Sequence, residues 1–254
     1  MLKIDELLEL TKSVSTQAGQ RLLDGMGQKK KEYVYSSEHP KEIKALADTV
    51  LEKDILQALT PQGLPILSEE AGFLLGQQES KYRFIVDPLD GTFNFVKGLG
   101  PCAISIALWQ DQKPIFGVIY SLMEQQLFWG GVDIGAYCNG QEIRVSDTSK
   151  KAEASICTGF PVRFESENDI VMQSFYKKVR QYAKVRMLGS AAVSLVNIAK
   201  GAADVYSEQN IMVWDVAAGL AIVEGAGGSV QFKPGTIEHS LDVYASNRHL
   251  SESD

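Results

Sequence analysis

The sequence predicts a layered α/β or α+β sandwich. Three observations support this prediction. Strand-like runs alternate with segments of helical periodicity, and consecutive strand candidates are concentrated in the middle of the chain. The apolar fraction of 44% and the charged fraction of 22% are ordinary for a globular protein. A chain of 254 residues can bury a substantial core, either as one large domain or as two packed subdomains.

Two helices and a short strand are predicted in the N-terminal part. Apolar residues recur at helical spacing, which predicts an amphipathic helix over residues 4–24 that Gly25 and Gly27 end. A second pattern of the same kind predicts a helix over residues 45–59. A strand is expected over residues 65–67, directly before a pair of glutamates.

The central feature of the sequence is the stretch Asp87-Pro88-Leu89-Asp90-Gly91-Thr92, which follows a strand predicted over residues 82–86. Pro88 is expected to end that strand, because proline lacks an N–H and biases the preceding residue towards extended geometry. Two carboxylates would then leave a strand end on a tight turn. Gly91 and Thr92 open a segment whose first backbone N–H groups can bind an anion. The pattern indicates a metal-assisted phosphate site.

The middle of the chain is predicted to be β-rich, and an α/β part is predicted after it. Strands are expected over residues 103–109, 114–120 and 126–129, and Asn139-Gly140 is typical of a hairpin turn. The polar run 146–152 is the candidate boundary. We expect it to separate an N-terminal α+β subdomain, 1–148, which carries most of the site, from a C-terminal α/β subdomain, 149–254, which completes the site.

The C-terminal part is predicted to hold two further helices around a strand. Ser190 is a plausible N-cap for a helix that runs to about residue 200. A strand is expected over residues 204–208. An Ala-rich helix is expected over residues 216–226, introduced by Trp214-Asp215 and closed by two glycines.

Composition and charge exclude several classes of partner. A formal net charge of −7 argues against a nucleic-acid polymer or an anionic membrane surface as partner. No apolar run reaches the roughly 20 residues that a membrane-spanning helix needs. The N-terminus lacks the layout of a signal peptide, and the three cysteines are widely spaced. We therefore expect a cytoplasmic protein with three core thiols, at Cys102, Cys138 and Cys157.

The patterns of several other catalytic classes are missing from the sequence. There is no GxxxxGK[ST] loop of an NTPase, and no GxGxxG follows a predicted strand. Gly189-Ser190-Ala191-Ala192 is not the GxSxG elbow of a serine hydrolase. The three histidines are scattered, which gives little support to a zinc site or a His-based triad.

Four acidic residues carry the chemical hypothesis together: Glu69, Asp87, Asp90 and Asp215. Each of them taken alone is more often a helix cap or a solvated charge. Mg²⁺ prefers oxygen ligands, so an all-carboxylate set without His or Cys favours Mg²⁺ over zinc. A pair of such cations about 4 Å apart is suited to the hydrolysis of a phosphate ester.

Four motifs occur in a fixed order: Ser68-Glu69-Glu70, Asp87-Pro88-Leu89-Asp90-Gly91-Thr92, Gly189-Ser190-Ala191-Ala192 and Trp214-Asp215-Val216-Ala217-Ala218-Gly219. In these motifs the sequence resembles the inositol monophosphatase family. That family belongs to a Mg²⁺-dependent, lithium-sensitive phosphatase superfamily, with fructose-1,6-bisphosphatases and 3'(2'),5'-bisphosphate nucleotidases. The similarity runs from about residue 45 to residue 247. It implies a layered α-β-α-β-α sandwich of the sugar-phosphatase type.

The resemblance also implies two to three Mg²⁺ ions and the groups that bind them. Glu69, Asp87 and the backbone carbonyl of Leu89 would hold the first ion. Asp87, Asp90 and Asp215 would hold the second ion, so that Asp87 bridges. A third ion, weaker and mostly hydrated, would lie near Glu69.

Roles in catalysis and substrate binding carry over from the family in the same way. Thr92 would orient the nucleophilic water with Asp48 as its acidic partner, and Glu69 would complete the catalytic set. One departure concerns Ala45, where relatives usually carry a threonine; the missing hydroxyl affects the surroundings of Asp48. The residues implied for substrate binding are Asp90, Gly91, Thr92, Gly189, Ser190, Ala191, Glu208 and Asp215.

The expected activity is a Mg²⁺-dependent phosphomonoesterase that acts on a small polyol or sugar phosphate, most readily inositol monophosphate, through a metal-activated water. A carboxylate at Glu208 suits substrate hydroxyls and would repel a second phosphate. The alternative is a 3'(2'),5'-bisphosphate nucleotidase, in which Lys97, Arg163 or Arg186 would clamp the second phosphate. A catalytically silent scaffold is a third reading. The resemblance further implies a homodimer.

Overall fold

The computed structural model describes residues 3–29, 34–36, 43–77, 79–160 and 169–252. Helices and strands follow one another in this order: α1 (Ile4–Lys29), β1 (Val34–Ser36), β2 (Ile43–Ala45), α2 (Leu46–Leu59), β3 (Ile66–Ser68), β4 (Gly72–Leu74), β5 (Tyr82–Asp90), α3 (Thr92–Lys97), β6 (Ala103–Gln110), β7 (Lys113–Ser121), β8 (Gln126–Gly131), β9 (Gly135–Cys138), β10 (Gln141–Glu142), β11 (Ser155–Cys157), α4 (Asp169–Val179), β12 (Lys184–Arg186), α5 (Ala191–Ala199), β13 (Val205–Met212), α6 (Val213–Gly225), β14 (Ser229–Pro234) and β15 (Ser240–Ser246).

Two sheets organise the described chain, apart from the small pair β1-β2. The first has eight strands in the order β10-β9-β8-β7-β6-β5-β3-β4. Its pairs are antiparallel except for β3 with β5. The second has five strands in the order β12-β11-β13-β15-β14, with β11 parallel to both of its neighbours. The strands of the first sheet come from residues 66–142 and those of the second from residues 155–246.

The two sheets and the helices stack in layers, as predicted. Helices α1 and α2 pack on one face of the first sheet, around a core that includes Leu51, Phe84 and Val86. Helices α5 and α6 pack on its other face and are covered in turn by the second sheet. Helix α4 lies outside the second sheet, where the Lys178 Nζ donates to the Ser207 Oγ at 2.9 Å. The order of layers is therefore α-β-α-β-α.

Helix α6 is buried because it lies between two sheets. Its side chains are apolar almost all round, which is typical of a helix without a solvent face. The helix approaches β7 so closely that a Cβ on Gly117 would overlap the backbone of Ala218. Glycine at 117 thus sets the distance between the first sheet and the helix layer.

Two predicted boundaries are wrong. Helix α1 continues through Gly25 and Gly27 to Lys29. Glycine ends a helix when it takes the left-handed conformation, whereas inside a helix it only lowers stability, by about 1 kcal/mol. Helix α6 begins at Val213, three residues earlier than expected, so that Asp215 lies in its first turn.

The prediction that Pro88 ends its strand is also wrong, because β5 runs on to Asp90. Asp87 pairs with Ser105 of β6, but Asp90 pairs with Ala103. Pro88 and Leu89 therefore stand opposite a single residue of β6, which is a β-bulge. A bulge accommodates proline because the extra residue makes no ladder hydrogen bond.

The other predicted elements are confirmed, with shifts of a residue or two at most ends. Helix α2, the strands β6, β7 and β8, and the hairpin at Asn139-Gly140 are present. Strand β13 extends to Met212, beyond the predicted end at residue 208. The thiols of Cys102, Cys138 and Cys157 are free, and the first and last are buried. Among the described helices, none combines the length and apolar character that crossing a membrane requires.

A buried aspartate fixes the segment between the two sheets. Asp204 accepts hydrogen bonds from the Ser146 Oγ at 2.7 Å, the Ser155 N–H at 2.7 Å and the Ser155 Oγ at 3.0 Å. Burial alone would raise the pKa of the Asp204 carboxyl, but these donors hold it below its usual value. Because this segment joins the two sheets, we propose that the subdomain boundary lies within it, at 148/149.

Candidate active site

Three carboxylates meet at the centre of the molecule. One oxygen of each of Asp87, Asp90 and Asp215 lies within 4.8 Å of the others. Asp87 and Asp90 come from the bulged end of β5, and Asp215 comes from the first turn of α6.

The bulge brings the first two carboxylates together. Side chains alternate between the faces of a regular strand, so residues 87 and 90 would point to opposite faces. The extra residue reverses the alternation. Leu89 accordingly joins the core under α1 and α2, while Asp90 reaches α5 on the opposite face, which Asp87 shares.

Asp87 has the least favourable surroundings for a charge. Its Oδ1 accepts the Leu89 N–H at 2.9 Å, while its Oδ2 is buried and has no hydrogen-bond donor among the described residues. Burial raises the pKa of the Asp87 carboxyl well above its usual value, and the charges of Glu69, Asp90 and Asp215 raise it further. A buried carboxylate that is surrounded by other acidic groups calls for a cation.

Asp90 holds the N-terminus of α5. Its carboxylate accepts hydrogen bonds from the Ser190 Oγ, from the Ala192 N–H at 2.8 Å and from the Ala191 N–H at 3.4 Å. The Ser190 Oγ in turn accepts the Val193 N–H, so that Ser190 is the N-cap, as predicted. Burial raises the pKa of the Asp90 carboxyl to about 6, and the three donors limit the rise.

Glu69 lies beside the three carboxylates but outside the 4.8 Å group. The residue is exposed as a whole, yet its carboxyl group faces that of Asp87. Loss of solvation raises the pKa of the Glu69 carboxyl to about 7. The hydrogen bond with Asp87 opposes this rise, and the charges of Asp48, Glu70 and Asp90 add to it.

Thr92 connects the bulge with helix α2. Its Oγ1 lies 3.0 Å from the Asp48 Oδ1 and 2.9 Å from the Leu89 carbonyl oxygen, and its single hydroxyl proton can be donated to either. Gly91 precedes it with φ +85°. A Cβ at 91 would lie 2.9 Å from the Pro101 carbonyl oxygen, so the turn that starts α3 requires glycine.

A cavity of about 190 Å³ adjoins the carboxylates. Glu208 lies in its wall and accepts a hydrogen bond from the Tyr206 hydroxyl at 2.9 Å. Burial and the Glu208 charge hold the pKa of the Tyr206 hydroxyl well above its usual value, which keeps it a donor. The sequence-predicted residues that line the cavity are Asp90, Gly189, Ser190, Ala191, Glu208 and Asp215.

Some predicted residues do not reach this cavity. Lys97 ends α3, Arg186 ends β12, and neither lines the cavity. Arg163 lies outside the described residues. Ala45 ends β2, and its side chain is not among those that the structure describes.

Three residues that support the site were not identified from the sequence. Glu52 accepts the Ser68 Oγ at 2.5 Å and the Ala71 N–H at 2.9 Å, which fixes the segment of Glu69. The Asn94 amide donates to the carbonyls of residues 101 and 188 at 2.8 and 2.7 Å. Tyr206 orients Glu208. Spacing carried a signal for two of them: Glu52 lies one helical turn after Asp48, and Tyr206 lies two residues before Glu208 on one strand face.

The residues present fit a hard divalent cation. The available metal ligands are carboxylate oxygens and the Leu89 carbonyl oxygen, which are the ligand types that Mg²⁺ prefers. The buried Asp87 Oδ2 has no donor among the described residues and can serve as a ligand atom. Burial is the first cause of the raised pKa values of Glu69, Asp87 and Asp90, and neighbouring negative charges add to the rise at Glu69 and Asp87.

Comparison with known proteins gives one consistent result. The model of the inositol monophosphatase family matches residues 3–252. The fructose-1,6-bisphosphatase/inositol-1-monophosphatase of Aquifex aeolicus is 31% identical over 255 residues, which cover 99% of this chain and 95% of that protein. The Nus factor SuhB of Xylella fastidiosa is 34% identical over 193 residues, 76% of this chain and 68% of that protein.

A solved structure agrees with these sequence relatives. The crystal structure of the extragenic suppressor protein suhB from Bartonella henselae superposes with a TM-score of 0.84 at 30% identity. The superposition covers 96% of this chain and 95% of that one.

Proposed function

The chain belongs to the inositol monophosphatase family and is a phosphatase of that family, and from this premise we propose that it hydrolyses inositol monophosphate or a similar small polyol phosphate with Mg²⁺. The observation that carries the proposal is the group of three carboxylates, with the Asp87 Oδ2 that has no donor among the described residues, beside a cavity that Glu208 lines.

The acidic residues would supply two overlapping sets of metal ligands. Glu69, Asp87 and the Leu89 carbonyl would hold one cation, and Asp87, Asp90 and Asp215 would hold the other. Mg²⁺ bound there supplies charge neutralisation to the phosphoryl group and acidifies the attacking water. Asp87 can serve both sets, because its Oδ1 is fixed by the Leu89 N–H and its Oδ2 is left for a second partner.

Thr92 and Asp48 position the water and accept its proton. The Thr92 hydroxyl donates towards the Asp48 Oδ1 or the Leu89 carbonyl, and its oxygen keeps a lone pair for the water. A proton passed from the water to the Thr92 Oγ1 can continue to Asp48 along the 3.0 Å contact. The start of α3 at Thr92, directly after Gly91, directs backbone N–H groups to the phosphate.

The cavity favours a polyol over a substrate with two phosphates. Glu208 can accept hydrogen bonds from substrate hydroxyls while the Tyr206 hydroxyl fixes its orientation. Among the described residues that line the cavity, none is a lysine or an arginine. Within this described lining, a second phosphate would meet the Glu208 carboxylate with no lysine or arginine to compensate its charge, which costs binding free energy. This supports inositol monophosphate over 3'-phosphoadenosine 5'-phosphate.

The name of one relative bears on the alternative that the chain is a catalytically silent scaffold. The Xylella fastidiosa protein is named for a Nus factor rather than for a phosphatase. Every carboxylate that the resemblance assigns to the metal is nevertheless present here. We therefore keep catalysis as the primary function of this chain.

A substrate panel tests the proposal. Phosphate release is measured from inositol 1-phosphate, fructose 1,6-bisphosphate, 3'-phosphoadenosine 5'-phosphate and NADP, with and without Mg²⁺. We expect turnover only with Mg²⁺ and the highest kcat/KM on inositol 1-phosphate. Glu208→Gln should lower kcat/KM on inositol 1-phosphate more than on 3'-phosphoadenosine 5'-phosphate. The control variant Glu153→Gln, at an exposed residue, should have the kcat/KM of the parent on both substrates. Equal losses on both substrates would remove the role of Glu208, and no Mg²⁺-dependent turnover would favour the scaffold.

Family membership extends the proposal in four further respects: two to three Mg²⁺ ions, inhibition by lithium, a homodimer and a cytoplasmic location. Lithium inhibition would reflect a weakly held, hydrated ion near Glu69. Titration of activity with lithium and sedimentation of the purified chain check two of these points directly. Activity that lithium does not change would contradict the weak-ion assignment.

A further inference from the structure

A second cavity lies at the end of the first sheet, apart from the active site. Its volume is about 480 Å³, within the range of small-molecule sites in proteins. Residues of β3, β5 and β6 form one side, and the hairpin of β14 and β15 forms the other. The active-site cavity shares no lining residue with it.

The walls of this cavity combine an apolar part with polar and charged residues. The apolar side chains that a ligand can reach are the half-buried Phe232, Ile237 and Leu241. Phe232 packs on the buried Trp109 with ring centroids 5.5 Å apart. The indole of Trp109 is fixed, because its Nε1 donates to the Ala217 carbonyl at 3.3 Å. A ring or a branched hydrocarbon would therefore find a preformed wall.

Arg83 supplies a positive charge to this cavity. It lines the cavity from β5, and its Nε is buried without a hydrogen-bond acceptor among the described residues. None of the described carboxylates forms an ion pair with its guanidinium. The enclosed Nε is out of a ligand's reach, but the terminal nitrogens of the same guanidinium have no acceptor among the described residues and are left for an acceptor that enters the cavity.

The other charged residues of the lining are engaged with one another or with solvent. The Lys233 Nζ lies 3.6 Å from the Asp242 carboxylate. Glu238 and His239 approach each other at 3.8 Å, and the Glu238 side chain is 89% exposed. Arg83 is thus the unpaired charge of the cavity, and the missing partner is an anion.

We infer that this cavity binds a small organic anion, in which a carboxylate or phosphate meets Arg83 and an apolar ring packs against Phe232, which rests on Trp109. Arginine suits this role because its planar guanidinium can bind a carboxylate through two parallel hydrogen bonds.

The position of the cavity places its ligand next to the active site without entering it. Leu67 lies two residues before Glu69, and Val213 lies two residues before Asp215. The Val213 N–H donates to the His239 carbonyl at 2.9 Å, which ties the start of α6 to the loop of the cavity.

Binding of defined probes tests the inference on the Mg²⁺-loaded, full-length chain. Benzoate, phenylacetate and phenyl phosphate are the anions, and benzamide and phenylacetamide are neutral analogues. Tryptophan fluorescence and ligand-observed NMR report binding. We expect at least one anion to bind at millimolar concentration or better, and its neutral analogue to bind at least about tenfold more weakly.

Three variants locate the site. Arg83→Gln should weaken anion binding at least about tenfold. Gln112→Trp changes an exposed residue of the lining and should also weaken binding by filling the cavity, which provides a second variant if Arg83→Gln folds poorly. Arg144→Gln removes an exposed arginine that pairs with Glu142 and should bind as the parent does.

Several results would overturn the inference. One is the failure of every anion to bind the parent chain. Another is equal binding by the parent and by both cavity variants. A third is binding that is lost in Asp90→Asn but kept in Arg83→Gln, because the anion would then occupy the metal site. Melting temperatures of all variants show whether each is folded.

Discussion

Asp90 and Asp204 are both buried aspartates that accept backbone N–H groups, and replacing each by asparagine should change stability in opposite directions. Asp90 lies among other carboxylates, and burial raises its pKa from 3.8 to about 6. Asp204 lies among serine donors, which lower its pKa. At pH 8 and without divalent cations, the charge of Asp90 destabilises the fold, whereas the charge of Asp204 stabilises it.

The size of the Asp90 effect follows from its pKa. A carboxyl group whose pKa is raised from 3.8 to about 6 is destabilised in its ionised form by about 3 kcal/mol. Asparagine removes this charge and can still accept the hydrogen bonds of Ser190 and Ala192 through one oxygen; it loses the 3.4 Å contact with Ala191. We therefore expect Asp90→Asn to gain up to about 3 kcal/mol in EDTA, or about 6–12 °C in Tm for a chain of this size.

Asp204→Asn should lower the free energy of unfolding. One of its oxygens accepts both the N–H and the hydroxyl of Ser155, and the other accepts the Ser146 hydroxyl. The single oxygen of an asparagine side chain can accept the hydrogen bonds of only one of these two oxygens, and its NH₂ group would face the donors that the other oxygen now accepts. A loss of about 1–3 kcal/mol is expected.

Thermal unfolding at pH 8, in EDTA and then in Mg²⁺, is the assay. Asp133→Asn, at an exposed loop residue, is the control and should lie within about 0.5 kcal/mol of the parent. Addition of Mg²⁺ should stabilise the parent, by about 2.7 kcal/mol at a hundredfold excess over Kd, and should stabilise Asp90→Asn much less. A lower Tm for Asp90→Asn in EDTA would refute the electrostatic reasoning. Phosphatase activity of this variant should fall by several orders of magnitude, because a metal ligand is lost.

Three other predictions concern pH and close packing. The metal-free protein should become more stable as pH falls from about 7 towards 5. The pKa values of Glu69 and Asp90 are raised to about 7 and about 6, so the folded state binds protons in this range that the unfolded state releases. A Tm in EDTA that declines as pH falls over this range would contradict the prediction. Gly159→Ala should lower kcat/KM on inositol 1-phosphate about tenfold or more, since a Cβ at 159 would overlap the Glu208 carboxylate, and unchanged kinetics would argue against a role for that carboxylate. Gly117→Ala should lower the free energy of unfolding by about 1–3 kcal/mol or more, because α6 cannot move away from β7 without opening the core, and an unchanged denaturation midpoint would refute this.

The sequence predicted the layers well because hydrophobic periodicity determines them directly. The strands from residue 103 to residue 131 and helix α2 each show a clear period, and they lie where expected. Helix ends were less predictable, since the effect of glycine depends on its conformation. Gly25 is helical, whereas Gly91 is left-handed and starts α3.

For the site, the sequence indicated which residue types matter but not how they are arranged. The Pro88 bulge depends on the register with β6, which is a long-range property. The hydrogen bonds from Glu52 and Asn94 likewise join segments that are distant in the chain. Nothing in the local pattern around Arg83 distinguishes it from an ordinary surface arginine.

The bulge at Pro88-Leu89 has a consequence for how such a centre can arise or disappear. A strand with one residue fewer would pair with β6 without interruption and would make a more regular sheet. If the missing residue were Leu89, the two aspartates would stand two residues apart and would still share one face. The centre would instead lose the N–H that binds the Asp87 Oδ1 and the carbonyl oxygen that lies 2.9 Å from the Thr92 Oγ1. A single codon therefore separates a regular strand from one whose extra residue supplies a backbone donor and a backbone acceptor to the centre, and the active centre persists at the expense of an ideal ladder.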